Sequence, residues 1–237
     1  MSDIATIIWK EWKDSLFQGG WRSWARPALL IGILGIVEPL LGKKNAWMSL
    51  SPLELVVFLW FAFFLIISVV ADSFAGERER HTLETLLASR MPDRAILLGK
   101  VLTVVLYGWG VMAVGLFLGA GVYNVARSEG QFTFYPTDMM LFTLVLGLLV
   151  GILGAGAGVL LSLRIPTVRQ AQQTLSIGTL ILGGAVVALL QLLPKEFFQT
   201  FTLDQILLMA AGVVILLDIV LLAFTLARFQ RAKLILS

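Results

Sequence analysis

The stretch LELVVFLWFAFFLIISVVADSFA, Leu53–Ala75, contains only two residues that can ionise, Glu54 and Asp72. A helix on the surface of a soluble domain keeps a polar stripe, whereas one crossing a bilayer needs about 20 consecutive apolar residues. The stretch therefore reads as a membrane-spanning helix, with Glu54 at its outer boundary and Asp72 at its inner one. Working outward, similar apolar runs lie at roughly Pro27–Leu41, Ala95–Val122, Asp138–Leu163, Thr174–Leu193 and Gln205–Ala227. With Leu53–Ala75 they predict six spans. The whole chain agrees: its 237 residues are 58% hydrophobic and 14% charged, against about 25% charged in a soluble domain. The expected fold is an all-α polytopic membrane protein, one transmembrane domain over 1–237, since no connection between spans is long enough for a second.

Composition excludes several chemistries. There is no cysteine, hence no disulfide, thiolate metal site or thiol nucleophile, and His81 is the only histidine. A multi-histidine metal site is therefore impossible. The sequence pI of about 9.4 has a simpler cause than nucleic-acid binding, because the basic residues sort by loop. Six spans put Lys43, Lys44, Arg127 and Lys195 on one side and the other 14 of the 18 Lys and Arg on the side of the termini. The positive-inside rule then places both termini and the loop from Glu77 to Arg94 in the cytoplasm. The expected location is the inner (plasma) membrane. Met1–Gly20 carries Asp3, Lys10, Glu11, Lys13 and Asp14 with no unbroken apolar core, so it does not read as a cleavable signal peptide.

Residues 3–17 read instead as an amphipathic helix. Ile4, Ile7, Ile8, Trp12 and Leu16 recur near 3.6-residue spacing, with Lys10, Glu11, Lys13 and Asp14 assigned to the opposite, wet face. Trp9, Trp12, Trp21 and Trp24 suit the headgroup layer, so the helix is expected to lie in the inner interface.

The second informative stretch runs Ala75-Gly-Glu-Arg-Glu-Arg-His-Thr-Leu-Glu-Thr-Leu-Leu-Ala-Ser-Arg-Met-Pro92, followed by Asp93-Arg-Ala-Ile-Leu-Leu-Gly-Lys100. Arg80 and Glu84, and Glu77 and His81, are spaced i,i+4 for helical pairing. Leu83, Leu86 and Leu87 form an apolar ridge, and Pro92 stops the helix. A merely solvated connector has no use for such a ridge, whereas a helix that docks in a partner's groove does. The predicted helix spans 77–91.

Gly-Glu-Arg-Glu, then Thr-Leu-Glu-Thr-Leu-Leu, Pro92 and Gly99-Lys100 together resemble the cytoplasmic loop of type-2 ABC transporter permeases. The resemblance implies that 77–91 is the coupling helix, with Glu77, Arg80, Leu83, Glu84, Leu86 and Leu87 meeting the ATPase. It further implies two ABC ATP-binding subunits, a second permease subunit, identical or related, and an exporter. The short connection between the first two spans departs from relatives that carry a large outer domain there. No Gly-x-x-x-x-Gly-Lys-Ser/Thr occurs, and Gly99-Lys100 is followed by Val101. This chain is thus expected to bind no cofactor and to catalyse nothing, with ATP and Mg on the partner.

Two features lie within the spans. Gly147-x-x-x-Gly151 and Gly154-x-x-x-Gly158 allow close helix approach, read as static packing in preference to sliding surfaces. Asp218, in mid-span, is expected to line a pathway or to bond a neighbouring helix, and Glu38 beside Pro39 is a second such polar position. Rival readings are an intramembrane enzyme and a non-transporting scaffold. The first suffers from isolated acids that have no histidine or cysteine to complete general acid–base chemistry.

Overall fold

The Leu53–Ala75 stretch forms the body of a single 28-residue helix, Pro52–Glu79. The computed structural model describes residues 3–13, 21–41, 52–79, 92–127, 130, 132–162, 165, 167–192 and 201–228. Their elements are α1 (Asp3–Lys13), α2 (Trp21–Gly32), a π-helical turn (Ile33–Val37), α3 (Glu38–Leu41), α4 (Pro52–Glu79), α5 (Asp93–Arg127), α6 (Thr137–Ser162), α7 (Val168–Leu192) and α8 (Leu203–Arg228). Among the described residues there is no strand. Among the described residues, four stretches are long and apolar enough to cross a membrane: Leu55–Glu77, Asp93–Arg127, Thr137–Ser162 and Asp204–Leu226. Pro27–Leu41 is apolar but shorter, and α7 covers the fifth expected span.

Local chemistry explains the ends. Ala95 and Ile96 donate to the Pro92 carbonyl as α5 begins, and Asp93 puts an acid against the free N–H groups of the first turn. The α8 start is a reciprocal box: Thr202 N–H donates to Gln205 Oε1 at 3.0 Å and Gln205 N–H to Thr202 Oγ1 at 3.4 Å. At α7, Gln170 N–H donates to Thr167 Oγ1 at 3.3 Å. Nothing comparable stops α4 at Ala75. Gly76 costs a helix only about 1 kcal/mol, and the Glu-Arg-Glu after it propagates well. The π-helical turn sits where Pro39 withholds an N–H and crowds the carbonyl four residues back. There, Glu38 N–H reaches Ile33 O, closing the wider turn.

α4 is the central helix, packing against α5, α6 and α7. Phe58, Ala62, Ile66, Val70 and Phe74, spaced by four, are buried towards α5 and α6. Phe63, Ile67, Ala71 and Ala75 are buried towards Ala171 and Leu175 of α7. The α6 glycines supply the room: a Cβ on Gly154 would lie 2.6 Å from the Phe63 ring, and one on Gly158 2.7 Å from Val70 Cγ1. Gly158→Val is therefore expected to destabilise the chain by about 1–3 kcal/mol, because Val70 is too stiff at χ1 to yield. Thermal unfolding in detergent measures this, and an unchanged midpoint would refute the tight α4–α6 seam.

At the far end from α1, Arg127 Nη2 donates to the Leu40 carbonyl, occupying an acceptor that the end of α3 leaves open. Asn124 clamps the loop by exchanging bonds with Thr133, at 2.7 Å from Nδ2 to O and 2.8 Å from N to Oδ1. Tyr135 tucks inside and donates to Leu116 O at 3.2 Å. Burial pushes its phenol well above the ordinary range, keeping it a neutral donor. α8 is attached differently, by one face against α6. Only 11% of its apolar window is buried, against 50% for α4.

Candidate functional site

Lys100 is wholly buried, with 0% of its side chain exposed. An ammonium in such a place is tolerated only when oxygens replace its water. Its Nζ lies 2.9 Å from Glu11 Oε1 and 3.0 Å from Glu77 Oε1. It also donates to Ser73, with both O and Oγ at 3.2 Å, and sits 5.4 Å from the Phe74 ring centre. Ser73 Oγ donates in turn to Glu11 Oε2 at 3.2 Å. Lys10 completes the group from the rim, 3.2 Å from Glu77 Oε1 and 3.7 Å from Glu11 Oε1. Two carboxylates meet two ammoniums, so the cluster is formally neutral.

Three helices build it. Ser73 and Glu77 are one turn apart on α4, Lys100 lies in the second turn of α5, and α1 supplies Lys10 and Glu11. Backbone approach makes this possible: a Cβ on Gly99 would stand 2.8 Å from Ile7 Cγ2 and 2.9 Å from Ile7 Cβ. Gly99 thus admits Ile7, and Glu11, one turn along α1 on the same stripe, reaches Lys100. The expected wet face of α1 is corrected here. Ile7 and Glu11 are buried together, while Trp9 and Trp12 are exposed. Periodicity assigned Glu11 to water because a carboxylate normally goes there. The buried cation that reverses this is 89 residues away.

The Gly76-Glu-Arg-Glu motif has a second tie. Glu79 Oε2 accepts from Val168 N–H at 3.2 Å, placing an acid at the N-terminus of α7. The two motif glutamates thus brace the end of α4 against α1 and α5 on one side and α7 on the other. Neither link could be proposed from i,i+4 spacing. Glu77 belongs to the last turn of α4, while Arg80, His81, Leu83, Glu84, Leu86 and Leu87 lie outside the described residues. The 3–17 helix is described to Lys13.

Of the two acids expected within spans, Glu38 is half-buried where α3 begins. Asp218 is buried on α8, and neither of its carboxylate oxygens has a hydrogen-bond partner among the described residues. Its stripe includes Leu221, which fills the space beside Gly156 of α6. The structure brings Asp218 together with neither Glu38 nor the Lys100 cluster.

Comparison with known families matches residues 45–226 to the family described as ABC-2 family transporter protein. The match contains Ser73, Glu77, Glu79 and Lys100, and α1 lies ahead of it. Among curated proteins, none matches the chain. With the match covering most of its length and with apolar helices long enough to span a bilayer, the chain belongs to the ABC-2 transporter family, as a multi-pass type-2 ABC transporter permease.

Proposed function

We propose that the chain is the membrane half of an ABC exporter, forming the substrate pathway with a second permease subunit, identical or related. Two separate ABC ATP-binding subunits hold ATP and Mg. They dock on the segment 77–91 and move it as they close on nucleotide. The chain is a single six-span domain in the inner membrane, with both termini cytoplasmic. The observation that carries this reading is the bracing at the root of the segment. Glu77 and Glu79 connect the end of α4 to three other helices, so a push on the chain just beyond Glu79 is delivered to several helices at once.

Affinity purification of the full chain from its native membranes tests the assignment. An ABC ATPase is expected to co-purify, and hydrolysis is expected only with it present. Turnover by the chain alone would favour an intramembrane enzyme instead.

The topology has its own test. Cysteine placed at Lys43, Arg127 or Lys195 is expected to label with an impermeant thiol reagent in intact cells, and cysteine at Arg90 is not. The native chain contributes no thiol background. Labelling at Arg90 with none at Arg127 would invert the orientation.

A further inference from the structure

We propose that the Glu11–Lys100–Glu77 cluster is a latch that makes α1 move with the ends of α4 and α5, with Glu11 and Lys100 as positioning residues for energy coupling. The inference rests on the exporter reading for its source of motion, and it concerns a helix that lies ahead of the family match.

Apolar contact alone does not hold a helix to a bundle at a lipid boundary, because acyl chains satisfy an isoleucine as well as protein does. Held by Ile7 only, α1 could exchange its protein neighbours for lipid. Charge removes that freedom. Separating α1 from α5 takes Glu11 away from Lys100, an ammonium with 0% exposure, and leaves it with Glu77 and Ser73 alone. A buried ion group adds little net stability over a well-packed apolar one, but its directional bonds can fix one register. The geometry has that character, since Glu11 uses both oxygens, Oε1 on Lys100 and Oε2 on Ser73. Glu77, in the last turn of α4 where the proposed docking segment begins, shares the same Lys100. The latch is thus built into the stretch where the push arrives.

Pulsed EPR on the full complex in nanodiscs tests this, with spin-label pairs Lys13–Arg94, Lys13–Leu216 and Arg94–Leu216, all exposed sites. Distances are compared without nucleotide and with ADP–vanadate. In the native cluster, Lys13–Arg94 is expected to stay narrow and unchanged while the two distances to Leu216 shift together. In Glu11→Ala, Lys100 keeps Glu77 and Ser73, so the bundle remains folded. There, Lys13–Arg94 is expected to broaden and the shift at Lys13 to be lost, with the shift at Arg94 retained. Glu11→Lys, which opposes Lys100, is expected to do the same more completely. If Arg94 shifts with nucleotide while Lys13 does not in the native cluster, the latch is overturned and the exporter reading survives. The latch is equally overturned if Lys13 still tracks Arg94 in both Glu11 variants. If no distance responds to nucleotide in any form, the exporter reading itself fails, and the latch with it.

Discussion

Lys100→Met is expected to destabilise the folded chain by about 3–5 kcal/mol, the cost of breaking a buried ion group from one side. The thioether fills most of the volume but offers no proton to Glu11, Glu77 or Ser73. Two carboxylates with 11% and 10% of their side chains exposed are then left facing each other. Lys10 cannot compensate for both: it is 45% exposed and stands 3.7 Å from Glu11 Oε1. Lys10→Met, by contrast, removes a solvent-screened partner and is expected to cost about 1 kcal/mol or less. Lys100→Met combined with Glu11→Leu leaves Lys10 and Glu77 as a simple pair and should recover part of the loss, the coupling expected of residues in one network. Unfolding midpoints of the four proteins in one detergent decide the matter. Equal effects of Lys100→Met and Lys10→Met would show that the buried cation is no keystone.

The second large effect is expected outside the described helices. Leu86→Asp combined with Leu87→Asp should abolish substrate-stimulated ATP hydrolysis in the reconstituted complex while leaving the chain inserted in the membrane. The reason is the spacing of Leu83, Leu86 and Leu87, which predicts an apolar ridge on an otherwise charged segment. Two carboxylates there would have to be desolvated in the partner's groove, which costs far more than the leucines contribute. Insertion is untouched because the segment lies between spans rather than within one. Stimulated hydrolysis at the native level in the double variant would refute 77–91 as the docking element.

Four of the expected spans were legible because hydrophobicity is a property of each residue alone. Leu53–Ala75 needs no partner to declare itself apolar, and the same holds for the three other stretches long enough to cross. The motif Gly76-Glu-Arg-Glu with Gly99-Lys100 was legible as important, but its geometry was not. Spacing along one helix can propose Glu77 with His81, since both lie on one strip of surface. It cannot propose Glu11 with Lys100, which depends on how two helices are rotated against each other. Gly99 is the nearest thing to a signal: a glycine beside a lysine in the second turn of a long helix marks a place where another backbone approaches. The end of α4 was misplaced by four residues for a simpler reason, since Gly76 alone is too weak a stop.

The wide separation of the cluster's members has a consequence in time. Glu11 leaves the ribosome 89 residues before Lys100, roughly 5–20 s earlier at usual synthesis rates. Throughout that interval its carboxylate has no buried ammonium to meet and must stay hydrated. α1 can therefore seat its Ile7–Glu11 stripe only when α5 has been made, so a helix synthesised before α4 and α5 reaches its final place after both.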